Sequence, residues 1–474
     1  MSKTSDITEK KPIAAITTPI GEGGIAVIRV SGRGAISKVQ KCFKGKDLGA
    51  LASHTIHFGR ILDPKGCLVD EVLVSLFHSP KSYTGEETVE ISCHGGILVT
   101  QRVYETLLAT GIYPAQAGEF TQRAFLNGKL GLEQAEAVAD LIHARSVKAV
   151  DAANQQLSGS LGAYVKEFRQ QIIDANAMIE LELDFIEEDV EFANKKQLQH
   201  LLLNLKTAIQ RLLESYEVGR LVRDGIKTVL IGRPNAGKST LFNALVGSER
   251  AIVTDIAGTT RDTVDVEWNH GGLLFRLTDT AGLRVTADRV EAEGVRRSQE
   301  AVKEADVIVY LRDLNQSFTT KEMNEIEKLK SSAIETPFIV IGTQFDRLSQ
   351  AQPTGHFTHE ANQESDWSKM KDLNISAMTG LGLSELKNRI KEEALRQTHY
   401  DGASLLVTSS RHRDALEKTM NHVEAALNGL EGGLTGDFLA IDLRAALQSL
   451  GTITGEITNE DILDSIFSRF CIGK

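Results

Sequence analysis

A chain of 474 residues is about two to four times a typical domain, so at least two folding units with their own cores are required. Lys plus Arg 53 against Asp plus Glu 64 gives a net charge of −11, which excludes broad, unspecific wrapping of nucleic acid and leaves room only for local contact with it. With 41% hydrophobic residues, 25% charged residues and 8 prolines, the chain is neither disordered nor fibrous.

The N-terminus is polar (Ser2, Thr4, Asp6, Glu9, Lys10, Lys11), and Thr17, Thr18 and Pro19 break the apolar stretch behind it, so no signal-peptide core is expected. Residues 12–125 read as a β-rich α+β domain, because 25–30, 55–61, 69–77 and 88–93 are short apolar or alternating runs bounded by Gly, Pro and Ser. From Leu132 the apolar spacing changes to three and four residues, as in Ala135, Val138, Leu141 and Ile142, and predicts a bundle of long helices to about Leu221. At Lys227 strands return (228–231, 273–278, 307–311, 337–341 and 373–375) in alternation with helical segments, the pattern of a doubly wound α/β block. Helical periodicity resumes beyond Leu383, which predicts an α/β block inserted between two halves of one helical domain. The expected divisions are 1–125, 126–221, 222–383 and 384–474.

No apolar run approaches the roughly 18 residues that cross a bilayer. Cys42, Cys67, Cys93 and Cys471 are far apart and form no C-x-x-C, so neither a disulfide framework nor a zinc site is expected, and the compartment is read as a reducing cytoplasm without a membrane anchor. The carboxylates from Glu180 to Glu191 spread around a helix with no His among them and read as a solvated face.

The chemistry is concentrated in the α/β block. Gly232-Arg-Pro-Asn-Ala-Gly-Lys-Ser239 fits G-x-x-x-x-G-K-[ST] directly after a strand and before a helix. Gly232 and Gly237 let the loop turn its amides toward phosphates, Lys238 puts a positive charge on the β and γ oxygens, and the Ser239 hydroxyl is a Mg²⁺ ligand. Asp279-Thr280-Ala281-Gly282 follows the next strand, where Asp279 can hold the Mg²⁺ shell and the Gly282 amide can sense a γ-phosphate. Between them Gly258-Thr259-Thr260-Arg261-Asp262 offers Thr260 as a second Mg²⁺ hydroxyl. Asp346, after the strand that ends at Thr343, can accept the N1 and N2 protons of guanine, a donor pair adenine lacks, and the Ser376-Ala377 turn can meet the guanine O6.

This order of motifs, together with Phe470-Cys-Ile-Gly-Lys474, Gly118–Lys129, Ser82-Tyr-Thr-Gly-Glu86 and His94-Gly-Gly96, resembles the MnmE (TrmE) family of tRNA-modifying GTPases over essentially the whole chain. The resemblance implies a multidomain α+β architecture: an N-terminal tetrahydrofolate-binding-like α/β dimerisation domain, a helical domain and an inserted Ras-like P-loop α/β G domain. It implies a homodimer that works with a flavin-dependent partner, GidA (MnmG), to place an aminomethyl or carboxymethylaminomethyl group on C5 of the tRNA wobble uridine. The one-carbon unit would come from a 5-formyl or 5,10-methylene tetrahydrofolate held by Arg29, Glu90, Lys129 and Lys474. GTP or GDP would lie on Asn235, Ala236, Gly237, Lys238, Ser239 and Thr240, on Thr254, Asp255, Ile256, Ala257, Gly258, Thr259 and Thr260, on Asp279 to Gly282, and on Asp346, Ser376 and Ala377.

Leu283 stands where many small GTPases keep a water-orienting Gln, so another group must serve. The resemblance supplies Glu291 for the water and a K⁺ ion held by Asn235, Thr254, Ile256 and Thr259. One motif departs: the usual Asn-Lys-x-Asp is Thr343-Gln-Phe-Asp346, so the Asn bond and the Lys stacked on the base are expected to be missing, at about 1–3 kcal/mol of nucleotide affinity with guanine selectivity retained. The competing reading, a ribosome-assembly GTP switch of the Era type, would require a basic KH-like RNA domain in place of the N-terminal block and the Phe470–Lys474 terminus. Cys471 does not signal prenylation, because Ile472-Gly473-Lys474 lacks an accepted last residue and follows no polybasic run.

Overall fold

The computed structural model describes residues 11–184, 195–247, 265–279, 301–332, 336–350, 372–396 and 405–474. They divide into two compact units, one drawn from 1–143, 154–206 and 415–474, the other from 144–153 and 207–414.

In the first unit the described residues form a seven-stranded sheet of β1 (Ile13–Ile16), β2 (Ile25–Ser31), β3 (Phe43–Lys44), β4 (Thr55–Leu62), β5 (Leu68–Phe77), β6 (Thr88–His94) and β7 (Tyr113–Pro114), in the order β3-β4-β5-β6-β2-β1-β7. Neighbours are antiparallel except β1 and β7, and Arg29 on β2 stands opposite Glu90 on β6. Side chains alternate between faces. Ile28, Val30, Val74, Leu76, Val89 and Ile91 are buried with Ile36 and Val39 of α1 (Ala35–Gln40) and Val103 and Leu107 of α2 (Ile97–Ala109). The opposite face leaves Ile25, Ile56, Phe58 and Leu73 exposed at 66, 65, 62 and 46%.

The helices of this unit are α3 (Glu119–Leu126), α4 (Leu132–His143), α6 (Ser160–Asp184), α14 (Gly436–Thr454) and α15 (Glu460–Phe467), while α5 (Val147–Leu157), α7 (Lys195–Glu214) and α13 (Ser410–Glu431) have residues in both units. Val165, Phe168, Ile172, Ala175 and Ile179 recur every three or four residues along α6 and are buried, as helical periodicity requires. At the start of α15 the Asn459 carboxamide oxygen accepts the Ile462 amide (2.9 Å), and Glu460 and Asp461 sit in the first turn, where the helix dipole favours negative charge. Phe467 and Phe470 close a cluster with Leu132, Ala135, Leu463 and Ile466. The last residues then lie along the sheet domain: Ile472 bridges Ala117, and the Lys474 carbonyl accepts the Phe120 amide at 3.2 Å.

The second unit is built on a six-stranded sheet of β8 (Ile226–Gly232), β9 (Asp265–His270), β10 (Leu273–Asp279), β11 (Val307–Asp313), β12 (Phe338–Thr343) and β13 (Leu373–Asn374), in the order β13-β12-β11-β8-β10-β9. All neighbours are parallel except β9 and β10. The remaining helices here are α8 (Tyr216–Asp224), α9 (Lys238–Gly247), α10 (Thr320–Ser332), α11 (Phe345–Gln350) and α12 (Leu383–Leu395). Strand β11 is buried from Val307 to Arg312, and burial on both faces is why Val307 to Leu311 read as an unbroken apolar run. Gly271 and Gly272, both at positive φ, make the two-residue β9–β10 turn, and Arg145 from segment 144–153 pairs with Glu267 on β9 at 2.5 Å. Among the described residues no helix is long and apolar enough to cross a membrane.

Candidate functional site

The phosphate loop leaves the C-terminal end of β8, in the middle of the sheet between β10 and β11, and enters α9 at Lys238. A Cβ on Gly232 would lie 2.3 Å from the Leu311 carbonyl oxygen of β11, so only glycine lets the two strands end side by side there. Asn235 (φ +63°) and Gly237 (φ +86°) turn the loop in the left-handed region, and Ala236 is buried. Lys238 lies across the loop, its amine donating to the carbonyls of Gly232 (2.6 Å) and Arg233 (2.9 Å). Ser239 and Thr240 follow, exposed, in the first turn of α9, the positive end of the helix. Asp279 closes β10, its backbone level with Leu230 of β8. Thr254, Asp255, Ile256, Ala257, Gly258, Thr259, Thr260, Thr280, Ala281, Gly282, Leu283 and Glu291 lie outside the described residues.

The expected base-reading residues meet at the ends of β12 and β13. Asp346, in the first turn of α11, accepts a 2.6 Å hydrogen bond from the Ser376 hydroxyl, which in turn accepts the Thr379 amide at 3.3 Å. The Phe345 amide donates to the Ile375 carbonyl (3.2 Å), which ties the two loops together, and Ala377 follows in the turn. At the departure Thr343-Gln344 the structure adds contacts that the sequence does not show. The Thr343 hydroxyl sits 2.8 Å from the Ala236 carbonyl and 2.9 Å from that of Arg312, and the Gln344 amide donates to the Asn235 carbonyl at 3.1 Å. Measured against Asn-Lys, the sequence predicts only an absence at these two positions; in the fold the shorter side chains bond to the phosphate loop themselves.

On the N-terminal sheet the structure brings together Arg29, Glu90 and Lys474. Arg29 and Glu90 form an ion pair at 2.8 Å across β2 and β6, and the guanidinium lies over the rings of Tyr83 and Phe120, 5.4 and 5.6 Å from their centroids. Burial pushes the Lys474 amine below the usual lysine range, Arg29 pushes in the same direction, and Glu90 partly offsets both. Lys129 instead donates to the Pro80 carbonyl at 3.2 Å. Sequence reasoning misses Tyr83 and Phe120 as site residues, although both fall in the segments 82–86 and 118–129 that stand out in the sequence; a ring beneath an arginine has no local pattern. Beside them Arg123, 5% exposed, is held by Glu119 (2.7 Å), Glu86 (3.2 Å) and the Lys11 carbonyl (3.0 Å).

Residues 132–471 match the model of the MnmE helical domain, and residues 12–129 match that of the N-terminus of the GTP-binding protein TrmE. The chain belongs to the MnmE family. It is 44% identical to the tRNA modification GTPase MnmE of Christiangramia forsetii, over 98% of this chain and 99% of that one. It is also 44% identical to the namesake from Salinibacter ruber, over 99% and 100%, and 42% identical to that of Cytophaga hutchinsonii, over the full length of both. The family layout of TrmE N-terminus, helical domain and P-loop G domain is therefore that of this chain.

Proposed function

We propose that the chain hydrolyses GTP to drive modification of tRNA. The observation that carries the nucleotide half is the Asp346–Ser376 pair at the strand ends next to the phosphate loop: a carboxylate held in place to accept two adjacent protons reads guanine. Lys238 would neutralise β and γ oxygens, and the loop and α9 N-terminus would hold the phosphates. The Ser239 hydroxyl is a hard oxygen donor suited to Mg²⁺, with Thr260 and Asp279 as its expected companions, and the ion when bound offsets phosphate charge. Asn235, together with Thr254, Ile256 and Thr259, would supply oxygens to K⁺, and Glu291 would orient the attacking water.

The finer reading extends to the N-terminal sheet. Arg29, Glu90 and Lys474, backed by Tyr83 and Phe120, suit the pterin edge and glutamate tail of a tetrahydrofolate, with Lys129 as an outer contact. The exposed apolar face at Ile25, Ile56, Phe58 and Leu73 supports a homodimer joined there. With GidA (MnmG) as flavoprotein partner, the pair would install an aminomethyl or carboxymethylaminomethyl group at C5 of the wobble uridine in the cytoplasm. The alternative, an Era-type switch, loses support because residues 12–129 match the TrmE N-terminus.

The test is hydrolysis of GTP and ATP in potassium against sodium buffer, with Asn235→Ala alongside. GTP-selective, potassium-stimulated turnover that the variant loses supports the reading. Equal rates in the two buffers would remove the cation from it, and equal use of ATP would remove guanine.

A further inference from the structure

We propose that Thr343 and Gln344 are positioning residues of the nucleotide site, clamping two consecutive carbonyls of the phosphate loop to the junction of β12 and α11, just ahead of the base-reading carboxylate. The inference rests on the reading of that loop as a GTP site. Thr343 is 4% exposed at the end of β12, and its hydroxyl lies between the Ala236 carbonyl of the loop and the Arg312 carbonyl of β11. One proton thus serves two acceptors on different elements. The Thr343 Cβ and hydroxyl are also the nearest atoms, at 3.8 Å, to the position a Cβ on Gly237 would occupy.

Gln344 adds the second clamp from an unusual backbone. Its φ of +59° is in the left-handed region, sparsely used by non-glycine residues and retained where surrounding contacts enforce it. That conformation brings its side-chain amide to the carbonyl of Asn235, itself at φ +63°. The amide orientation is determined by chemistry, because an oxygen in place of Nε2 would face the Asn235 oxygen with no proton between them. The other end, Gln344 Oε1, is buried with no hydrogen-bond partner among the described residues, a cost that the Asn235 contact must offset.

The consequence follows from peptide geometry. Carbonyl and amide of one trans peptide point in opposite directions. Holding the Ala236 oxygen against Thr343 therefore turns the Gly237 amide the other way, while the Ala236 amide closes its own turn onto the Arg233 carbonyl at 3.2 Å. The clamp sets the loop peptides before any phosphate arrives, and because Asp346 is two residues beyond Gln344, the phosphate end and the base end of the site are held as one body. Preorganisation of this kind shows in affinity and dissociation rate and leaves the choice of base unchanged.

The experiment uses the full-length protein and a fluorescent GDP, measuring affinity and dissociation rate, with GTP and ATP as competitors. Thr343→Val keeps the shape and removes the hydroxyl; Gln344→Ala removes the amide. Each is expected to weaken GDP binding by about three- to tenfold with the change in dissociation, while the GTP-to-ATP preference stays at the wild-type value. Thr343→Ser and Gln344→Lys, which restore a donor, are expected to recover most of the affinity. Should Val at the buried position impair folding, the Gln344→Ala and Gln344→Lys pair decides alone. GDP affinity within twofold of wild type in the folded variants, or an altered preference for ATP, would overturn the proposal. A wild-type protein that binds no GDP would overturn the GTP reading instead.

Discussion

Replacing Gly473 with alanine separates the seat of the C-terminal lysine from everything else that holds the chain together. Gly473 adopts φ +105°, and a Cβ there would stand 2.7 Å from the Ile16 carbonyl oxygen and 3.2 Å from the Thr17 Cα. The first distance is about 0.7 Å short of the 3.4 Å at which ordinary contact begins, and both neighbours are backbone, which cannot swing aside as a side chain can. Backbone strain of this type costs about 1–3 kcal/mol before the clash is counted. Against it stand the Phe120 amide bond to the Lys474 carbonyl and the Ala117–Ile472 bridge, each worth about 0.5–1.5 kcal/mol. The terms are of equal size, so the last residues should detach while Phe470, buried at 5% exposure, keeps its place. Detachment caps the global cost, and the melting temperature should fall by only about a few degrees. The assay is hydrogen exchange of the Phe120 amide, expected to accelerate about tenfold or more, paired with calorimetric titration of tetrahydrofolate, expected to weaken as Lys474 leaves Arg29 and Glu90. A Phe120 amide as protected as in the wild type would refute the argument that glycine at 473 seats Lys474.

Two further outcomes follow from burial and charge. Arg123→Ala would leave the carboxylates of Glu86 and Glu119 buried without their cation, so urea unfolding should show a loss of about 3–5 kcal/mol; a loss below about 1 kcal/mol would mean that the cluster is already solvated. Burial pushes the Cys42 thiol up to about 11 and raises Cys93 as well, whereas Cys67 and Cys471 are exposed. A thiol reagent near pH 8 should therefore titrate Cys67 and Cys471 in the native protein and reach the other pair only after unfolding, and rapid native reaction of Cys42 would contradict its burial.

Much of the layout is legible in the sequence because its signals are short-range. The strands expected at 55–61, 88–93 and 228–231 appear at Thr55–Leu62, Thr88–His94 and Ile226–Gly232, since alternation or an apolar run fixes them locally. The phosphate loop is legible for the same reason: its glycines, lysine and serine are neighbours in sequence. Strand β9 is not legible, because Asp265-Val-Glu-Trp-Asn-His270 has too polar a composition to announce a strand, and its antiparallel pairing with β10 supplies the order that its composition does not.

What only the tertiary structure decided is every relation between distant segments. Arg29 and Glu90 are 61 residues apart and become partners through the register of β2 on β6, while Lys474 reaches them because the end of the chain is bridged to Ala117. The departure at Thr343-Gln344, read along the chain, is the absence of Asn and Lys; in the folded unit the same two side chains grip Asn235 and Ala236, more than a hundred residues earlier. Local propensity acts over a few residues, whereas sheet register and loop-to-loop hydrogen bonds are set when whole elements pack, and for that reason the sequence determined which chemistry this chain carries and the fold decided which residues act on it together.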